Sequence, residues 1–412
     1  MLALFGLPMF LRGAPARAGF SFGMGQAAAK KAKVVVDKAA IASAAAGNSP
    51  STAGNQPSVV DSLPSCNLTG PLSVLPIDLS SVTAIYPLGN LSPPPHTFPA
   101  DHHDIYTNKT IPGDPSSPAV WADILSPGLI TVTDIASTEY LSALPPFTDY
   151  AIYFYPCREL RMYVGHVRTL SPGLAAAAGN LGNCFNYISG GSSIRRCDQN
   201  TNIPMNPGDQ IGTAPGMDFG AYDTRTTPLA FISPQRQAMY KLNTVCPSDY
   251  FTPALKAAMN AKTGRYDGLQ WRTDNPVCGQ ILYDVPNSAQ GEWFNLGAPY
   301  ISEEPNLALV HNPVTFALEA ISAGSSTPDI TGVYYFVPAA SGFLNRDFAD
   351  VRSDGNVYCY DSFQDSLGGS TGGGAIILDM PTPSTLRIEK YIPGACGSGP
   401  WAMTGAAVEF QR

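Results

Sequence analysis

The stretch Pro118-Ala-Val-Trp-Ala-Asp-Ile-Leu-Ser-Pro-Gly-Leu-Ile-Thr-Val-Thr133 decides the fold. Two short apolar runs, the second rich in β-branched residues, flank Ser126-Pro127-Gly128, a tripeptide that turns the chain and cannot continue a helix. The unit reads as a β-hairpin. The same texture extends downstream. Residues 149–155 read as a strand, and residues 159–164 alternate Leu160, Met162 and Val164 against Arg161 and Tyr163, the pattern of a half-buried strand. That strand delivers His166 directly after Gly165. Residues 171–202 read as an excursion, with a short helix starting at 174–178 and a polar loop closed by Cys184 and Cys197. Turn-and-strand signals return at 203–212 and 216–222.

Composition agrees with a chain of short strands. The 412 residues include 39 glycines and 38 prolines, nearly a fifth of the total, against a usual ~12%. Residues 251–261 are the best helix candidate, with Pro253 acceptable in its first turn. Beyond residue 280, strands are expected at 306–311, 332–337, 356–360, 375–378 and 385–391, separated by Gly, Pro and Asn, which predicts a second all-β module. Trp293 and Phe294 read as core, and the run 368–374 as a glycine-rich loop. The expected architecture is mostly β: an apolar N-terminal segment over 1–24, a linker over 25–63, a β-sandwich or barrel domain over 64–230, and a β-rich module over 231–412.

The first eleven residues are nearly all apolar, and Ala16-Arg17-Ala18 precedes Gly19 as a small-x-small site, so 1–24 reads as an export signal. Eight cysteines, an even number without a Cys-x-x-Cys pair, fit disulfides in an oxidising compartment. Sequence order pairs Cys184 with Cys197, Cys246 with Cys278 and Cys359 with Cys396, leaving Cys66 for Cys157; eight cysteines allow 105 such connectivities. No later run approaches the ~18 apolar residues of a membrane span. The net charge of -8 comes from sparse charges with no basic stripe, which argues against a nucleic-acid partner. The expected location is secreted, periplasmic or cell envelope.

Upstream of the opening stretch lies Pro95-His-Thr-Phe-Pro-Ala-Asp-His-His-Asp104, which holds three of the five histidines and two carboxylates within ten residues. Imidazole and carboxylate together suit zinc or another first-row divalent ion, while a solvated turn between prolines is an equal reading of these residues alone. His103 and Asp104 read as the far side of that loop, solvated or second to the ligands. His311, at a strand end running into a turn, reads as structural. No Walker-type phosphate loop is present, since the run 368–374 lacks the following Lys.

Taken in order, the pieces over residues 75–225 resemble the lysostaphin/LytM-type zinc metallopeptidases, a duplicated-hybrid-motif β fold that cleaves peptidoglycan cross-links. His96 with Asp101 stands for the family's His-x-x-x-Asp loop, with four residues between them where the family has three. Pro118-Ala-Val-Trp-Ala with Ser126-Pro127-Gly128 stands for its hairpin. Tyr163-Val-Gly-His166 stands for its Tyr-x-His, Met205-Asn-Pro-Gly-Asp-Gln-Ile-Gly212 for its Gly-x-x-Ile-Gly turn, and Met217-Asp218-Phe219 for its last strand. The closing His-x-His motif is missing: Asp218 takes the place of its ligand histidine and Gly216 that of its catalytic one.

The resemblance implies one divalent metal held by His96, Asp101 and Asp218, with His102 as an alternative ligand and His166 as the catalytic histidine beside the attacking water. The metal is zinc by resemblance, and an oxygen-rich set admits Mn, Mg or Ca as well. The expected function is a cell-envelope protein that binds or scaffolds through a degenerate metallopeptidase-like domain, with peptidoglycan or another envelope polymer as partner. An active metallo-endopeptidase is the alternative, and a purely structural exported β protein the third reading.

Overall fold

A computed structural model of the protein describes residues 59–66, 70–189, 192–297, 302–365, 369–370 and 374–412. The expected export signal, most of the expected linker and most of the glycine run 368–374 lie outside the described residues. The chain is mostly β, as its composition predicts.

In the first half the strands are β1 (Val82–Tyr86), β2 (His102–Thr107), β3 (Ala122–Leu125), β4 (Ile130–Tyr140), β5 (Phe147–Cys157), β6 (Leu160–Val167), β7 (Thr169–Leu170), β8 (Cys184–Ser189), β9 (Ser192–Met205), β10 (Gln210–Ala214) and β11 (Gly216–Asp223). The large sheet runs β1-β2-β11-β6-β5-β4-β9-β8, and a small one runs β3-β10-β7. Every pairing in the two sheets is antiparallel. Helix α1 (Pro172–Ala178) is capped by Ser171, whose hydroxyl accepts from the Leu174 amide.

Two local expectations are corrected. Residues 118–133 contain two strands, but these do not form a hairpin: β3 pairs with β10 in the small sheet, while β4 enters the large one between β5 and β9. The reason lies in the corner between them. The Leu125 amide donates to Pro76, that of Ser126 to Asp209, and Pro127's carbonyl accepts from Ser73 and Val74, so the turn's groups are taken by other segments. A Cβ at Gly128 would stand 3.0 Å from the Pro71 carbonyl oxygen, so the chains approach closely at this corner and a side chain there would have to push the neighbour aside. The segment between Cys184 and Cys197, expected to be a polar loop, belongs instead to the paired strands β8 and β9, in which Cys184 stands directly across from Cys197. Long-range pairing with β4 overrides the polar composition there.

The second half contributes α2 (Pro253–Asn260), then β12 (Gly291–Asn295), β13 (Leu307–His311), β14 (Glu319–Ala323), β15 (Gly332–Phe336), β16 (Val357–Tyr360), β17 (Ala375–Thr382), β18 (Thr385–Tyr391) and β19 (Val408–Gln411). They form one sheet ordered β15-β14-β13-β12-β19-β18-β17-β16. The strands expected beyond residue 280 and the helix at 251–261 fall where their local patterns put them.

Each large sheet has its own apolar core. Ile85, Val132, Ile152, Phe154, Met162 and Phe219 are fully buried in the first, and Trp293, Phe336, Phe348, Tyr360 and Phe410 in the second. Burying side chains of this size stabilises by roughly 1.5–3 kcal/mol each. Phe251 and Met259 from the second half belong to the first core, so residues after 231 continue to cover that sheet. A third cluster, in which Leu91 and Phe98 meet Tyr283, Phe294, Ala308 and Val310, joins the halves. The four disulfides are Cys66–Cys157, Cys184–Cys197, Cys246–Cys278 and Cys359–Cys396, the connectivity that sequence order pairs.

Candidate metal centre in a cleft between the two halves

The candidate site rests on three neighbouring strands. Successive side chains on a strand face opposite ways, so β2 presents His102 and Asp104 to one side of the sheet and His103 to the other. Register then places Asp218 of β11 directly across from Asp104 on one side and Gly165 of β6 on the other. A Cβ at Gly165 would come within 3.1 Å of Asp218 Oδ2, so the glycine makes room for this carboxylate. The next residue, His166, takes a left-handed φ of 58°. Non-glycine residues in that conformation cost of order 1–3 kcal/mol and persist where surrounding contacts fix them. Here the contacts are two carboxylates.

Donor atoms of His102, Asp104 and Asp218 lie within 4.8 Å of one another. His102 Nε2 stands 3.6 Å from Asp218 Oδ2. Two donors at ~2.0–2.1 Å from one ion in tetrahedral geometry are ~3.4 Å apart, so the pair is spaced as ligands are. Nε2 of His102 is also buried without a hydrogen-bond partner among the described residues, an arrangement with a desolvation cost that a bound cation removes. The other ring nitrogen is held: His102 Nδ1 lies 3.1 Å from Asp101 Oδ1, and Asp101 Oδ2 accepts from the Tyr222 hydroxyl at 3.0 Å. A carboxylate behind a ligand histidine fixes its tautomer and orientation. Asn90 Nδ2 donates to Asp104 Oδ2 at 3.0 Å.

His166 is held in the same way. Its Nδ1 lies 2.7 Å from Asp149 Oδ2, and its Nε2 lies 3.3 Å from Asp218 Oδ2. About half of its side-chain surface (54%) stays open to the cleft.

The electrostatics follow from these contacts. Burial opposes charge on His102, but Asp218, Asp101 and Asp104 outweigh it and raise the ring to about 10. Asp218, against burial and with help from Asp149, raises His166 to about 9. Burial alone would lift Asp101, yet His102, Lys241 and Tyr222 hold it down at about 2. Burial raises Asp104. The cluster therefore attracts positive charge strongly, and in the absence of a metal protons supply it.

The cleft above the cluster has a volume of about 400 Å³. One wall comes from the large first sheet, with Tyr140, Tyr153 and Tyr163. The other comes from the second half, with Arg236, Lys241, Phe294 and Glu303. Tyr163 stacks on Tyr222 and meets His102 edge-on.

Of the residues read from sequence, the structure brings together His102, Asp218 and His166. His96 also lines the cleft, but its Nδ1 faces Glu303 Oε2 at 3.8 Å while its ring meets His102 edge-on at 5.3 Å. Asp101 stands behind His102 rather than among the converging donors. Asp104, read as a solvated or second-tier residue, is one of those donors. Asp149 carried no motif; a strand pattern over 149–155 was its only signal. His103 is buried with Nε2 3.1 Å from Cys278 Sγ, and because Cys278 and Cys246 are joined in a disulfide, neither offers a thiolate. His311 stacks on Phe316 at 4.1 Å, a packing role.

No family model matches the chain, and no curated protein or solved structure gives a match.

Proposed function

We propose that this chain is an exported, divalent-metal-dependent hydrolase of peptide or closely related amide linkages, with cell-envelope cross-links such as those of peptidoglycan as its substrates. The observation that carries this reading is the unpartnered His102 Nε2 beside Asp104 and Asp218, with the oriented His166 touching the same Asp218 carboxylate at the base of an open cleft. The order of motifs over 75–225, which resembles the lysostaphin/LytM-type peptidases, supports the substrate class. The four disulfides support export. Among the described residues, no helix is long and apolar enough to cross a membrane.

One imidazole and two carboxylates fit zinc, manganese or magnesium. A divalent ion held there supplies Lewis acidity towards a carbonyl oxygen and towards water. The chain's own residues supply the rest. Asp101 holds His102 with Nε2 turned to where an ion would sit, and Asp149 accepts the Nδ1–H hydrogen bond of His166, so the neutral ring would present Nε2 as a base. Asp218 is the main reason that His166 keeps its proton. With a cation beside Asp218 that support would be withdrawn, and His166, oriented by Asp149, would be the residue placed to accept a proton from water in the cleft.

A second reading, binding without turnover, is favoured by the second carboxylate, since two anionic ligands reduce an ion's effective charge. Incubation with peptidoglycan sacculi separates the two. Hydrolysis predicts released muropeptides with the metal-loaded protein and none with Asp218→Ala or His166→Ala. Retention on sacculi without product release supports binding alone.

A further inference from the structure

The wall opposite the candidate metal centre carries two cations, and they are treated differently. Lys241 is buried and ion-paired, with Nζ 3.6 Å from Glu292 and 3.5 Å from Glu303. Arg236 has no ion pair among the described residues. Its guanidinium carbon lies 4.5 Å from the centre of the Phe294 ring, and Nε and Nη2 are buried without a hydrogen-bond partner. An unpaired guanidinium is out of place here, because its planar fork is built for two-point contact with a carboxylate. The carboxylates of this wall face other cations: Glu292 accepts from Gln237 and lies 3.6 Å from Lys241, and Glu303 lies 3.5 Å from Lys241 and 3.8 Å from His96, while Glu292 Oε1 and Glu303 Oε2 make no hydrogen bond among the described residues.

Phe294 packs edge-on against Phe98 at 5.1 Å, which makes the surroundings of the guanidinium apolar. A chain of contacts runs along this cleft from His102 through His96 and Glu303 to Lys241, five residues beyond Arg236.

We infer that Arg236 is a specificity determinant that takes the free α-carboxylate of a peptide substrate, on a stretch of cleft wall that Phe294 and Phe98 make apolar. The inference rests on the hydrolase reading for the word substrate, while the subsite itself stands on Arg236 and its surroundings. It makes the cleft selective for peptide ends over internal segments whose carboxyl is already in amide linkage. A planar carboxylate restores both missing contacts of the fork in one step, as an amide cannot.

The test uses the full chain with N-acetyl-alanyl-leucine and its C-terminal carboxamide as probes, and D-glucuronate as an acidic sugar. Binding is followed by titration calorimetry at low millimolar probe. The wild type is expected to bind the acid at least about tenfold more tightly than the amide. In Arg236→Gln that preference should collapse to within about twofold, and Arg236→Lys should keep part of it, since a point charge lacks the fork. Asp218→Asn disables the candidate metal centre and should keep the preference, so failure of the metal reading and failure of the subsite are seen separately. Equal binding of acid and amide by the wild type, no binding of either, or an acid preference that survives Arg236→Gln overturns the inference. Arg236-dependent binding of glucuronate tighter than that of the peptide overturns the peptide assignment.

Discussion

Nε2 of His166 lies 3.3 Å from Oδ2 of Asp218. These residues sit on neighbouring strands, β6 and β11, with Gly165 directly opposite Asp218. The contact puts a cleft-facing imidazole and a candidate ligand carboxylate under one control, because whatever neutralises Asp218 removes the largest influence that holds the proton on His166.

Removing the carboxylate behind His102 tests the orientation argument. Asp101→Asn leaves the size of the side chain unchanged but ends its charge-assisted hold on Nδ1. Metal affinity should fall by about 10–100-fold, the usual effect of losing such a partner. Calorimetric titration with zinc and manganese measures it, and an unchanged affinity would remove Asp101 from the account.

Gly220, directly across from His102 in the sheet, offers a steric test. A Cβ at this position would stand 2.1 Å from the Tyr163 ring, which also meets His102. Gly220→Ala should displace Tyr163 and destabilise the fold by about 1–3 kcal/mol, as overpacking does. Denaturant unfolding reads the stability, and metal titration should show a weaker site as well.

The second half contains an independent pH-sensitive group. Burial, reinforced by Asp347, raises the Glu319 carboxyl to about 9 from an ordinary 4.5. Both of its oxygens lie within reach of the Phe348 amide. A carboxyl with a raised folded-state value holds its proton more tightly in the fold, so stability falls as pH climbs from about 4.5 towards about 9. Glu319→Gln imitates the protonated form. Its melting temperature should decline less than that of the wild type between pH 6 and pH 9, and parallel declines would show that Glu319 does not titrate there.

Disulfide loss should follow loop length. Cys66 and Cys157 are 91 residues apart and Cys184 and Cys197 only 13. A paired Cys→Ser replacement at the long loop should cost about 4 kcal/mol or more by the chain-entropy argument, and the short one about 3 kcal/mol. Thermal unfolding of both variants orders them, and the reverse order would count against loop entropy as the source.

What was legible in the sequence was local. Alternation at 159–164 and the short runs beyond residue 280 mark strands because period-two burial is written into neighbouring residues. Partnership is not written there. The turn at Ser126-Pro127-Gly128 looks like a hairpin, yet its backbone groups bond to Pro76, Asp209, Ser73 and Val74, distant in the chain. The site shows the same division. His102, His166 and Asp218 could be picked out by type and order. Asp149 could not, because only the pairing of β5 with β6 brings it to His166. Asp104 was available in principle: a strand through Asp101-His102-His103-Asp104 puts His102 and Asp104 on one face, but prolines upstream made a loop the natural reading.

The most direct test is metal content and affinity of the purified chain, by elemental analysis and calorimetric titration, beside His102→Gln and Asp218→Asn. One divalent ion per wild-type chain is expected, with affinity at least about tenfold lower in each variant. A wild type that binds no divalent ion, or variants that bind it as tightly, would contradict the centre formed by His102, Asp104 and Asp218.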